Sequence, residues 1–192
     1  MADLPAAAAA KTLTIPLGPA CQRLAAADVA VADLPLTDRP YTWAFEGTGW
    51  NGRKEKLQAL IDCNLPSRHI LRPNWAAANY PSSDYITLLR ATKFVPIMKG
   101  TNYETFRIYE ALEHGCIPLI CREEGDRAYY EWLRQHLPGL FAAPSWAAAG
   151  EFICTLTANK DVMQAYCDTI HKQWIAWKTS IQKAGREILG LV

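Results

Sequence analysis

The chain has 192 residues, half of them hydrophobic and a fifth charged, which is room for one large domain or two small ones with an ordinary globular balance. Lys plus Arg is 20 against 19 for Asp plus Glu, a formal charge of +1, which argues against nucleic-acid binding through a broad basic surface and against an acidic disordered chain. No apolar run reaches about 18 residues, so no transmembrane helix is expected, and Met1-Ala-Asp-Leu-Pro-Ala6, with an acid and no base, does not read as a secretory signal.

Residues 1–12 are Ala-rich and expected to form a disordered leader. Leu13 to Gly18 is a short apolar segment stopped by Pro16 and Gly18, and residues 19–40 read as a linker. The domain proper is expected over 41–192. Tyr41 to Gly47 reads as an aromatic-rich strand. Asn51 to Cys63 reads as a helix, with Asn51 as a possible N-cap and Leu57, Leu60 and Ile61 on one face. His69 to Arg72 is a weak strand. Ser82 to Ala91 reads as a helix, Lys93 to Met98 as a strand, and Tyr103 to His114 as a helix closed by Gly115. Cys116 to Cys121 is wholly apolar, as at the centre of a parallel sheet. Asp126 to Leu137 reads as a helix, Phe141 to Pro144 as a short strand, and Ser145 opens a further helix. Asp161 to Leu189 is one long amphipathic helix, its stripe running through Val162, Tyr166, Ile170, Trp174, Trp177, Ile181 and Ile188.

Strand–helix alternation at this spacing gives an α/β fold: a Rossmann-like parallel sheet with helices on both faces. Ligands on such sheets bind beyond the carboxyl ends of the strands. That points to the loops after Gly47, Met98 and Cys121. The six cysteines show neither a C-x-x-C nor a zinc-like Cys/His cluster, so they read as buried thiols acting as small hydrophobes. Seven tryptophans are more than usual; Trp43, Trp132, Trp146, Trp174 and Trp177 are placed as core anchors, and Trp50 and Trp75 lie in loops where a sugar or base can stack.

The loop after Met98, Lys99-Gly100-Thr-Asn102-Tyr-Glu104-Thr105, leads into a helix. A turn glycine lets backbone N–H groups approach an anion, and the helix N-terminus adds partial positive charge. At about 100° per residue, Glu104, Arg107 and Glu110 share one side of the helix. Arg neutralises a diphosphate through bidentate bonds, and a carboxylate grips a ribose diol. By spacing alone these three are equally surface ion pairs. Neither a Gly-x-Gly-x-x-Gly fingerprint nor a P-loop is present.

Thr105-Phe-Arg107-Ile-Tyr-Glu110-Ala-Leu-Glu-His-Gly115-Cys116-Ile-Pro118 closely resembles the signature of the exostosin-like (GT47-type) glycosyltransferases. Ile15 to Gly18, Phe45-Glu-Gly47 followed by Arg53, and Ser145-Trp146 with the Trp-containing last helix resemble flanking pieces of that family in the same order. The resemblance spans about residues 13–190 and implies the C-terminal, donor-binding half of a two-domain GT-B enzyme that transfers sugar with inversion from a nucleoside diphosphate. A UDP-sugar is the expected donor, a glycan or glycoprotein the acceptor, and no metal or other cofactor is expected. Glu110 is then expected at the ribose, and Arg107 and Arg53, with Lys99 behind them, at the diphosphate. Thr105 and the backbone through Gly100, Asn102 and Glu104 are expected near phosphate or sugar, with Glu104 facing the transferred sugar and Gly47 giving the donor room. The acceptor domain and general base are not readable here, so a preceding domain or second chain is expected. The alternative is a nucleotide-sugar-binding module without activity of its own. The family is usually Golgi-lumenal, and localisation stays open.

Overall fold

A computed structural model describes residues 15–20, 34–73, 82–125 and 127–191. The expected leader over 1–12, most of the expected linker, and Trp75 lie outside the described residues.

Five strands, β1 (Tyr41–Thr48), β2 (Ser67–Arg72), β3 (Thr92–Ile97), β4 (Ile117–Cys121) and β5 (Ala142–Ala143), form one parallel sheet in the order β2-β1-β3-β4-β5. Helices α1 (Arg53–Ile61), α2 (Ser82–Arg90), α3 (Phe106–Glu113) and α4 (Arg127–His136) connect successive strands, and α5 (Trp146–Thr157) and α6 (Lys160–Leu189) follow. The arrangement is Rossmann-like, as the strand–helix rhythm predicts.

Period-two alternation divides the core between the two faces. Trp43, Phe45, Phe94, Ile117 and Leu119 pack with Leu57 and Leu60 of α1 and Trp146 and Ile153 of α5. Val95, Ile97 and Ile120 pack with Leu89 of α2, Ile108 and Leu112 of α3 and Leu133 of α4. Helix α6 serves both: Met163 and Cys167 join the first cluster, Ile170, Trp174 and Trp177 the second. Burying a long aromatic stripe in this way removes several large side chains from water at roughly 1.5–3 kcal/mol each.

Local chemistry accounts for most of the element ends. Ser145 Oγ accepts from Ala148 N at 3.2 Å at the start of α5, Asn159 Oδ1 accepts from Asp161 N and Val162 N at the start of α6, and Gly115 closes α3 at φ 61°. Two expectations shift. Helix α1 begins at Arg53 because Asn51 and Gly52 both take positive φ, and Asn51 donates its Nδ2 to Gly100 O at 3.2 Å instead of capping. Helix α3 begins at Phe106, three residues later than expected, because Thr105 is extended (φ −130°, ψ 147°) and Gly100 N folds back onto Asn102 O at 3.2 Å. Glu104 therefore precedes the helix and does not share its face with Arg107 and Glu110.

The chain goes from β1 out to β2 and returns across β1 to β3, so the strand order reverses between β1 and β3. Their ladder covers Tyr41–Thr92 and Trp43–Phe94, whereas β1 runs on beside β2 to Thr48–Arg72 and β3 runs on beside β4 to Ile97–Ile120. The two strands part toward their carboxyl ends, which opens a crevice at the switch point.

Candidate functional site

A cavity of about 480 Å³ fills that crevice, a size ordinary for small-ligand sites. Gly47, Arg53, Gly100, Asn102, Glu104, Thr105, Arg107 and Glu110 line it, and Lys99 does not. Lys99 turns its ammonium onto the Tyr103 ring, 4.3 Å from the centroid. Its backbone does the local work: its N–H donates to Glu124 Oε2 at 3.0 Å and its carbonyl accepts from Arg53 Nη2 at 2.8 Å.

The β1 end of the cavity is built on Phe45. Its buried ring lies 4.4 Å from the Arg107 guanidinium carbon and 5.6 Å from that of Arg53. Arg107 also donates Nη2 to the Glu46 carbonyl and Nε to the Tyr85 hydroxyl at 3.4 Å. It thereby bridges the parted strand β1 to α3. Arg53 is 6% exposed and donates Nη1 to Thr48 O at 3.0 Å, so two of its nitrogens serve backbone carbonyls. Burial, with the like charge of Arg107 next, lowers Arg53 to about 10 against the opposing pull of Glu124. Gly47 is required first by the protein itself. A Cβ there would lie 3.1 Å from the Phe45 ring and 3.4 Å from Arg107 Nη2.

Helix α3 presents its N-terminus to the cavity through Thr105, Phe106 and Arg107. No side chain caps it, and Thr105 Oγ1 is buried without a hydrogen bond. The Ile108 N–H turns back to Thr105 O at 3.4 Å, and the N–H groups ahead of it, at Phe106 and Arg107, offer an anion a site that no side chain blocks. One turn along, Glu110 is only 2% exposed, so it is not the solvated surface partner that spacing alone allows.

Glu104 lines the cavity and is engaged within the protein. Its Oε1 accepts from the Leu17 backbone N–H at 2.7 Å and from the Tyr109 hydroxyl. Burial, then Tyr129 and Glu104, push the Tyr109 hydroxyl above its ordinary range, so it stays a donor. Leu17 lines the cavity mouth as a result.

Glu46, Tyr85 and Glu124 are among the residues at or behind the site that sequence reading misses. Glu46, 6% exposed, pairs with Arg72 across the ends of β1 and β2, and its Oε2 is buried without a hydrogen bond. The signal was there: an acid directly before Gly47 in an aromatic-rich strand. Tyr85 of α2 reaches the cavity and meets Arg107. Glu124, 5% exposed, sits behind the wall and accepts from Lys99 N, Trp146 Nε1 (2.9 Å) and Lys56 Nζ (2.8 Å). Trp50 stands at the rim, 38% exposed, its ring 5.7 Å from the Arg53 guanidinium. His114 is not among the cavity-lining residues; it ends α3, where burial and then Arg90 lower its imidazole. Among the described residues no group of three or more His, Cys, Asp or Glu is placed to hold a metal ion, and no helix is long and apolar enough to cross a membrane.

The family described as the RXYLT1 C-terminal domain matches residues 28–183. The chain belongs to that family, an exostosin-related glycosyltransferase domain. No curated protein matches the sequence.

Proposed function

We propose that this exostosin-related domain holds a nucleoside-diphosphate sugar, a UDP-sugar in the first instance, and presents it for inverting transfer to a glycan or glycoprotein acceptor. The observation that carries the reading is the crevice between β1 and β3, where the uncapped N-terminus of α3, the Arg107 guanidinium and the buried Glu110 carboxylate meet in one cavity. The diphosphate lies against the first turn of α3 and Arg107, with Thr105 Oγ1 as a further polar contact. Glu110 accepts from the ribose hydroxyls. The open Oε2 of Glu46 accepts from a hydroxyl of the transferred sugar.

In transfer, the acceptor hydroxyl oxygen bonds to the anomeric carbon as the bond from that carbon to the diphosphate breaks. The hydroxyl proton goes to a base, and the developing charge on the leaving diphosphate meets the α3 N-terminus and Arg107. Among the described residues no histidine lines the cavity. In this reading Glu110 and Glu46 hold the donor and Glu104 is engaged with Leu17 and Tyr109, so the base comes with an acceptor-holding domain or partner chain, in the manner of a two-domain GT-B enzyme.

Calorimetric titration with UDP, GDP and their sugars tests this, repeated with Glu110→Ala and Arg107→Ala. Binding of one nucleotide series that both substitutions weaken by about tenfold or more is expected. Absence of nucleotide binding, or undiminished binding by both variants, overturns it. Binding without transfer or donor hydrolysis, even with the acceptor-holding part present, would leave a nucleotide-sugar-binding module instead.

A further inference from the structure

Among the described cysteines, two stand apart from the rest. Cys116, Cys121 and Cys167 are buried in the core. Burial pushes the first two thiols up to about 12 and the third to about 11. Cys116 and Cys167 also donate to the backbone, at 3.1 Å to Leu89 O and 3.4 Å to Gly115 O. These three are inert packing groups. Cys63, in contrast, is half-buried just beyond α1, and Cys154 is exposed on α5.

Helices α1 and α5 pack together on one face of the sheet. Cys63 donates to Ala59 O at 3.4 Å, which holds its sulfur against α5. There it occupies the space beside Gly150 where any Cβ would collide with it. Cys154 lies one turn beyond Gly150 on the same side of α5, which sets its thiol beside that of Cys63, close enough to help push the Cys63 thiol up. The two sulfurs are thus neighbours brought together by a glycine, from positions far apart in sequence.

We propose that Cys63 and Cys154 are a disulfide-forming pair that clasps α1 to α5. The oxidant is a small-molecule or protein disulfide. The exposed Cys154 thiolate attacks one of its sulfurs, the oxidant's S–S bond breaks, and one thiol leaves. Cys63 then loses its proton to solvent and attacks the Cys154 sulfur; the mixed disulfide breaks and a second thiol leaves. Two protein thiols are oxidised and one disulfide is reduced to two thiols. Burial, with Cys154 next and Asp62 and Glu151 adding, pushes the Cys63 thiol up, so the second step is the slow one. The bond closes a loop from the end of α1 through β2 to β5, which restricts the unfolded chain. In an oxidising lumen the bond persists, and in a reducing cytosol both thiols stay free. None of this rests on the donor reading, because the pair lies at the end of α1 away from Arg53.

The test is equilibration of the whole chain in oxidised and reduced glutathione, followed by non-reducing peptide mapping by mass spectrometry and a thermal melt. The expected products are a linked pair of peptides carrying Cys63 and Cys154 and a midpoint higher by roughly 5–10 °C. Cys63→Ser should stop at a glutathione adduct on Cys154. Gly150→Ala puts a methyl group where the Cys63 sulfur sits and should slow closure by about tenfold or more while the adduct still forms. A parent protein that ends with glutathione on Cys154 and a free Cys63, or that links either residue to a different cysteine, overturns the proposal. So does closure at the parent rate in Gly150→Ala; if that variant does not fold, the parent map and Cys63→Ser decide.

Discussion

The backbone N–H of Leu17 donates to the Glu104 carboxylate at 2.7 Å, a contact between residues 87 positions apart. It ties the segment before the sheet to the loop that enters α3, at the mouth of the cavity. Glu104→Ala deletes the acceptor for both Leu17 N and the buried Tyr109 hydroxyl. Leu17 amide exchange, followed by NMR, should accelerate about tenfold or more, and urea unfolding should show a loss of about 1–3 kcal/mol. A Leu17 amide equally protected in the variant would show that the segment is held by other means.

Arg107→Lys keeps the charge and loses the planar fork. The lysine has no geometry for simultaneous contact with Glu46 O, the Tyr85 hydroxyl and a phosphate. UDP affinity should fall by about 10- to 100-fold by calorimetry, the equivalent of about 1.5–3 kcal/mol. Retention of parent affinity would move the diphosphate away from α3.

Acidification should destabilise the domain through its histidines. Burial and then Arg90 hold His114 below the ordinary imidazole range, and burial does the same for His136. The unfolded chain takes up these protons near pH 6.5, the folded chain only lower. Stability is therefore full above about pH 6.5 and declines as pH falls toward the folded values. Thermal midpoints between about pH 7 and 5, a range above most carboxyl titrations, should fall less in His114→Gln than in the parent. Identical slopes would remove His114 from the account.

Helix α6 is fixed to α3 by one tryptophan. Trp174 is 2% exposed, donates Nε1 to Glu113 Oε1 at 3.1 Å and lies 5.6 Å from the Tyr109 ring. Lys178 Nζ joins the same carboxylate at 2.7 Å. Trp174→Ala should cost about 3–5 kcal/mol in denaturant unfolding, and Trp174→Phe clearly less, because it keeps most of the volume and gives up the N–H. Equal losses would place the energy in the hydrogen bond and not in packing.

The sheet was legible because β1, β3 and β4 are short, largely apolar or aromatic runs separated by turn glycines and helical stripes, and Cys116 to Cys121 announces its centre without help from neighbours; the polar β2, Ser67–Arg72, was the weak member. The start of α3 was not, because Tyr103 and Glu104 suit a helix and only the extended Thr105, with Glu104 drawn off to Leu17, delays it. Glu110 and Arg107 were legible through the motif they share with a family. Glu46 and Glu124 were not, because a carboxylate's burial depends on partners elsewhere: Arg72 on the next strand for one, Lys56, Lys99 and Trp146 for the other. The nearness of Cys63 to Cys154 depends likewise on a helix packing that Gly150 permits and no local pattern encodes.

Glu124 gives the cavity wall a property of its own. One buried carboxylate joins α1, the loop after β3 and the first turn of α5. Loops at the rim of an α/β sheet ordinarily vary independently, and that independence lets such folds drift toward new ligands. Here three segments are yoked to a single atom group, so a change at Glu124 strands a partner in each of them. Substitutions meant to retune ligand preference are accordingly better borne outside the yoke, at Trp50 and Leu17 on the rim, than in the wall itself.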